Sequence, residues 1–297
     1  MSKGHTVLGY FLLLMTALIW GSAFVAQKYG VEKLPPAAFN GIRNIVGGFA
    51  LMLFVFFRDL TAKRKFKFLG KGNHDSLILG GICCGFFLGF ASLMQQVGIE
   101  RTSVGKAGFI TVLYIMIVPI LGILLGQKSS WQTWCCVLLA MAGFYFLSFS
   151  GKEGEINTGD IYCFVCSILF SLHILTISRF APKVDGVRLS ALQFFIAGVI
   201  SLSVSVLLER GFTLKETFQS WLPILYTGVL SCGVAYTLQI VAQKWVRPVV
   251  ASLIMSLESC FAVLFGGLLL HERLAPRELV GCLIIFMAVI ITTVREN

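Results

Sequence analysis

Residues 249–270 read VVASLIMSLESCFAVLFGGLLL, and Glu258 is the only charge in that run. If the run crosses a bilayer, an ionised carboxylate near its centre costs about 2.5–3.5 kcal/mol on insertion scales. Such a residue must face a bundle interior, carry a proton or find a partner. Its neighbours three and four positions away are Ile254, Met255, Phe261 and Ala262, so its own stripe is apolar. A stripe beside it, Ser252, Ser256, Ser259, Val263 and Gly266, is small enough to let another helix come close. Two readings stand: a cavity-lining carboxylate that answers to a proton or cation, and a structural acid bonded to a neighbouring helix.

Arg43 is the second charge inside an apolar run, about seven residues into 37–57 and so roughly 10 Å deep. On a helix it shares a face with Asn40, Asn44, Gly47 and Leu51. An arginine there can clamp a substrate carboxylate or pair with Glu258; snorkelling to headgroups is the alternative. Gly85, Gly89, Ser92 and Gln96 form one polar stripe, and Cys232, Tyr236, Gln239 and Gln243 form another. Amides in apolar surroundings need partners, so both stripes are expected to face inward. Trp20, Tyr114 and His173 are amphipathic, and each fits core packing as well as ligand contact. The expected cavity set is Trp20, Arg43, Asn44, Ser92, Gln96, Tyr114, His173, Gln193, Tyr236, Gln239 and Glu258.

Composition identifies the elements that must position these groups. Of 297 residues 57% are hydrophobic and 13% charged, with mean hydropathy +0.87, whereas soluble domains run near half apolar and a quarter charged. Apolar runs of spanning length fall at about 7–27, 37–57, 76–97, 105–125, 131–149, 158–178, 189–208, 220–242, 248–270 and 277–294. The expected fold is therefore all-α and integral to a membrane, with ten transmembrane helices and no soluble domain. The first run follows Lys3 and His5, but it is long, lacks a cleavage pattern and leads into further spans, so it reads as a helix and not a secretory signal.

With the N-terminus inside, the inner loops collect 14 Lys and Arg, six of them in 58–75, and the outer loops 9. That asymmetry places both termini in the cytoplasm. The net charge of +10 is thus a topology signal, not a nucleic-acid footprint; the 58–75 loop reads as a positive-inside loop, with contact to anionic headgroups as the alternative. All nine cysteines lie within the apolar runs, which argues against a disulfide framework. Cys163 and Cys166 have metal or redox spacing but no second ligand pair in sequence, so they read as small buried hydrophobes.

The chain also repeats. A shift of 150 lays GYFLLLMTALIWGSAF (9–24) over GDIYCFVCSILFSLHI (159–174), Arg43 over Gln193 and Gly48 over Gly198. A shift of 147 lays one polar stripe over the other, and a shift of 145 lays ILLGQK (123–128) over LLLHER (268–273) and Leu113 over Glu258. Two five-helix halves, 1–150 and 151–297, follow. Five is odd, so the second half enters the membrane from the opposite side. Inverted-topology repeats of this kind are an architecture of secondary transporters, with the site at the midplane between halves.

LIWGSAFVAQK, LPPAAFNGIRNIVGG, QQVGIERTSVGKAGFITVLYIMIVPILG and GLLLHERLAPRELVGCLIIFMAVII resemble the EamA-type permeases of the drug/metabolite transporter superfamily, over essentially the whole chain. The resemblance implies ten-helix transport of small metabolites or drug-like solutes, often outward, across the cytoplasmic (inner or plasma) membrane. There are two departures. The acid that closes the half-repeat is Glu272 in the second half but Gln127 in the first, and Glu258 stands where many members carry proline. Glu272 and Arg273 read as loop anchors at a membrane edge. No Walker, HExxH or GxSxG motif is present, so neither ATP-driven transport nor an enzyme is expected, and no cofactor or metal. Expected partners are a small-molecule substrate, the lipid bilayer and a proton or other coupling ion, for a monomer or homodimer. A channel or ion-independent facilitator is the alternative, and a membrane-embedded enzyme is disfavoured because Arg43, His173 and Glu258 are scattered.

Overall fold

The computed structural model describes residues 3–63, 66–70, 72–102, 104–127, 130–148, 156–209, 211–270 and 275–295. Glu272 and Arg273 lie outside the described residues. Among those described there is helix and no strand. The order is α1 (Lys3–Val31), α2 (Pro36–Thr61), α3 (His74–Arg101), α4 (Val104–Val112), α5 (Tyr114–Leu124), α6 (Trp131–Ser148), α7 (Thr158–Phe180) and α8 (Gly186–Leu208). Then come α9 (Leu214–Gln219), α10 (Trp221–Tyr226), a π-helical stretch Thr227–Ala235, α11 (Tyr236–Ala242), α12 (Pro248–Met255), α13 (Leu257–Leu270) and α14 (Pro276–Arg295). Among the described residues nine helical stretches are long and apolar enough to cross a membrane, and Trp131–Leu147 is a shorter apolar helix.

Helix ends follow local chemistry. Pro36 and Pro248 open α2 and α12 at positions where no intrahelical N–H is required. Asn73 caps α3 by accepting from Ser76 N, and Asn157 and Asp160 form a reciprocal capping box on α7. The outward faces carry large apolar side chains such as Phe54, Leu79, Phe164 and Leu283, as a surface meeting hydrocarbon requires.

Helix packing is set by small residues. α2 lies against α8, α3 against α7 and α8, α1 against α13, and α6 against α14. At the last of these, a Cβ added to Gly281 would stand 2.6 Å from both Gly143 O and Leu147 N, so only glycine permits that separation.

The ends of α2 and α8 are tied by carboxylates. Arg188 in the first turn of α8 bonds Asp59 near the end of α2 and also Asp185, which pairs with Arg58 at 2.6 Å. At the opposite end Glu209, just beyond α8, accepts from Ala37 N and Ala38 N at 2.9 and 3.3 Å. Those donors are unsatisfied by the helix itself, and a carboxylate also suits the positive end of its dipole.

The runs expected at 105–125 and 248–270 are each interrupted at one residue that keeps right-handed helical dihedrals. The first breaks at Leu113 and the second at Ser256. Ser256 Oγ donates to Leu253 O at 2.7 Å, the local side-chain bond that loosens a helix turn. Pro119, inside α5 a turn and a half past the other break, has no N–H to give and crowds the preceding turn. The run at 220–242 is likewise interrupted by the π-helical stretch, a form that recurs at functional sites.

Candidate functional site

A cavity of about 620 Å³, counting its open mouth, lies among α1, α2, α3, α5, α7, the π-helical stretch, α11, α12 and α13. Trp20, Arg43, Asn44, Ser92, Tyr114, His173, Tyr236, Gln239 and Glu258 line it, as expected. Gln96 and Gln193 do not. Gln193 sits behind the wall and bonds His173 Nε2 through Oε1 at 3.0 Å. Gln96 is fully buried, and neither of its amide atoms has a protein partner among the described residues.

Each break delivers one half of a contact. Tyr114 is the first residue of α5 and Glu258 lies in the first turn of α13, and Tyr114 Oη donates to Glu258 Oε1 at 3.3 Å. Glu258 is 6% exposed and is the only carboxylate among the lining residues. It does not pair with Arg43. The arginine, 4% exposed, gives Nε and Nη2 to Asn40 Oδ1 at 3.0 and 2.8 Å, and no carboxylate among the described residues lies within ion-pairing distance. Snorkelling does not describe it either, since its head is held inside the bundle.

Aromatic rings form one wall. Trp20 and Tyr236 meet with centroids 4.5 Å apart, and Tyr236 also touches His173 and Phe194 edge-on. The π-helical stretch reaches α2 through Gly47, where a Cβ would stand 2.7 Å from Gly228 O and from Cys232 Cβ. That approach lets Cys232 Sγ donate to Asn44 Oδ1 at 3.4 Å. Gln239 gives Nε2 to Gln243, which in turn bonds Ile174 O.

Several lining polar atoms lack a protein partner among the described residues: Trp20 Nε1, Gln27 Oε1, Asn44 Nδ2, His173 Nδ1 and Gln239 Oε1. Buried polar atoms in proteins are nearly always bonded, so these lining atoms are free to bond water or a polar solute entering the cavity. Sequence reasoning missed Phe24, Gln27, Gln95, Phe170 and Ser231. Helical spacing from residues already singled out would have found most of them. Phe24 and Gln27 stand four and seven positions after Trp20, Gln95 three after Ser92, and Phe170 three before His173.

An open cavity lined by both polar and apolar side chains, among helices long and apolar enough to cross a bilayer, marks a membrane protein of the transporter class. The chain belongs to the EamA-like transporter family, whose model matches residues 7–149 and again 157–294. An uncharacterized transporter of Archaeoglobus fulgidus is 33% identical, over 95% of this chain and 85% of its own. The uncharacterized transporter YoaV of Bacillus subtilis is 23% identical over 95% of both chains, and the uncharacterized inner membrane transporter YedA of Escherichia coli is 22% identical over 94% and 88%. A protein of known crystal structure, 16% identical, shares the fold with a TM-score of 0.77 over 99% of this chain and 98% of that one.

Proposed function

We propose that this protein is a secondary-active exporter of small metabolites or drug-like solutes, working by alternating access across the cytoplasmic membrane with both termini inside. Its ten spans, the short Trp131–Leu147 helix included, form two inverted five-helix repeats, 1–150 and 151–297. The observation that carries the reading is the pair of broken helices, at Leu113 and Ser256, which the repeat offset brings into near register and which meet through Tyr114 and Glu258 at the cavity. Discontinuous helices at the repeat interface are where transporters of this design hold cargo and coupling ions.

The packing pattern supports the repeat. α2–α8 and α6–α14 each join equivalent helices, while α3–α8 corresponds to α2 against the π-helical stretch, and α1–α13 to α7 with α5. The bound solute is held by the lining set that includes Arg43, Gln239 and Tyr236, and Glu258 carries the coupling proton or, as a carboxylate, holds a coupling cation in its place.

The test has two stages. A metabolite-release screen under overexpression supplies the cargo, and counterflow in liposomes then separates saturable exchange from conductance. Gln239→Ala and Arg43→Ala should each lose exchange while remaining monodisperse in detergent. Normal exchange by both variants would show that the site is elsewhere, and an ohmic, non-saturable flux would replace the carrier with a channel.

A further inference from the structure

Arg43 is a buried cation whose support is neutral, and the way that support is built has a consequence for cargo. Asn40 lies one turn before it and is fully buried. Asn40 Oδ1 accepts from both Nε and Nη2 of Arg43. Asn40 Nδ2 donates to Ser92 Oγ and to Ser201 Oγ, each at 2.9 Å. Both amide hydrogens are therefore used on hydroxyls from α3 and α8, and the oxygen is committed to the guanidinium. The amide cannot turn over without breaking all four bonds, so the guanidinium is held in one orientation against the side of Asn40.

This arrangement orients the charge without neutralising it. A carboxylate in the same place would accept the same two bonds as a bidentate ion pair. Phe39 adds a ring 5.7 Å from the guanidinium carbon, again without a counter-charge. Arg43 Nη1 has no protein partner among the described residues, and the residue faces the cavity. Two further donors line the same cavity and lack protein partners: Asn44 Nδ2, one turn after Asn40 on the same helix, and Trp20 Nε1. Asn44 is oriented by Cys232 Sγ at its oxygen, which leaves the amide hydrogens for a ligand. A desolvated, unpaired guanidinium is unfavourable on its own, and two unpartnered donors lining the same cavity match one chemical class.

We propose that the wall made by Arg43, Asn44 and Trp20 is a binding subsite for an anionic oxygen group of the cargo, a carboxylate or its like, and that Asn40 is the positioning residue that keeps Arg43 uncompensated for it. The inference deepens the transport reading, resting on it for the identity of the cavity as the cargo site, and it is tested by binding and not by flux, so a failure of one is distinguishable from a failure of the other.

The decisive variant is Asn40→Asp. It keeps the size and both acceptor contacts to Arg43; Ser201 Oγ can rotate to donate to the new carboxylate, while Ser92 Oγ does so only by leaving Leu88 O, to which it donates at 2.7 Å. The buried charge gains a partner, so thermal unfolding in detergent should occur at the wild-type temperature or above it. Binding is read as the upward shift of that temperature with acetate, benzoate and phenylacetate, each against its neutral amide at equal concentration and ionic strength. Wild-type protein should be stabilised by at least one carboxylate and not by the matching amide. Asn40→Asp and Arg43→Gln should both weaken that response roughly ten- to a hundredfold, the range a hydrogen bond to a charged group is worth. A purely structural Asn40 would lower the unfolding temperature and leave the response to carboxylates unchanged. That result, equal responses to carboxylate and amide, or no carboxylate response in the wild type, overturns the proposal.

Discussion

Glu258→Gln is the perturbation that separates a coupling carboxylate from a structural one. Glutamine keeps the side-chain length and an oxygen able to accept from Tyr114 Oη, the one hydrogen bond described for this carboxylate, which at 3.3 Å is long. What it removes is the ability to ionise. Because Glu258 is the only carboxylate among the described residues lining the cavity, a cycle coupled through it moves one proton per cargo. One pH unit across the membrane is then worth about 1.4 kcal/mol per cycle, which sustains a cargo gradient of about tenfold.

In liposomes with the membrane potential clamped to zero, wild-type protein should therefore hold about a tenfold cargo ratio for each unit of imposed pH difference. The Gln variant should hold a ratio near one, yet still exchange labelled for unlabelled cargo when both sides are loaded. If the Gln variant builds the wild-type ratio, Glu258 carries no coupling proton. Glu258→Ala would then be expected to act on stability alone, through the cavity it leaves and the orphaned Tyr114 hydroxyl.

Three other expectations follow from the fold. Gly281→Ala forces a methyl group against Gly143 O and Leu147 N, and the α6–α14 pair should lose about 1–3 kcal/mol, measured by thermal unfolding in detergent; an unchanged transition would refute the close approach. Single cysteines placed in 58–75 and at residue 297 of a cysteine-free background should react with impermeant reagents only from the cytoplasmic side, and labelling from outside intact cells refutes the orientation drawn from the Lys and Arg count. Partial burial pushes the Asp185 carboxyl up, but the hydrogen bonds from Arg58 and from the Arg188 N–H, with the two guanidinium charges, outweigh it and hold it below its usual value. Its stabilising contribution is thus complete above the unfolded-state value near pH 4 and is lost as pH falls through the lower folded value. Asp185→Asn keeps a good N-cap while removing the charge, and should flatten the fall in unfolding temperature between pH 5 and 3; an unaltered slope would show that the charge contributes nothing.

How far the sequence reveals this protein depends on the length scale of the signal. Apolar runs of about 20 residues report helices directly, because in hydrocarbon every backbone group must be bonded within its own segment. Polar side chains inside such runs had to turn inward for the same reason, and this is why Arg43, Ser92, Gln239 and Glu258 appear together at the cavity. The same argument could not separate a residue facing the cavity from one a layer behind it. Gln96 and Gln193 are as polar as Gln27 and Gln95, and only the rotation of α3 and α8 against their neighbours decides which amides reach the open space. The helix breaks were hidden too. Leu113 is an ordinary helix former, and Ser256 acts through a bond to Leu253 O that many serines in helices never make. Pro119 was the only visible hint, and it lies past the break it accompanies.

The ties between α2 and α8 bear on how such a bundle could move. Asp59 and Glu209 stand 150 positions apart, the offset that superposes the halves, and each follows or closes its own helix. Each also bonds the first turn of the opposite helix, Asp59 through the Arg188 side chain and Glu209 through the backbone N–H groups of Ala37 and Ala38. The α2–α8 pair is thus tied at both ends by charged groups, whereas α4–α5 meet α12–α13 through apolar packing around Ile115, Val118, Leu253 and Ile254, with the 3.3 Å bond of Tyr114 to Glu258 as the hydrogen bond described between them. In the transport cycle proposed above, the charge-tied α2 and α8 would serve as the fixed axis, and α4–α5 and α12–α13, joined by apolar packing, as the parts that shift. On that proposal Arg43, held by Asn40 on the axis, would keep its place in both orientations of the site, whereas Glu258, on a shifting segment, would change its surroundings. A fixed anion subsite facing a displaceable carboxylate is the arrangement a carrier needs to keep hold of its cargo while the coupling group exchanges one side of the membrane for the other.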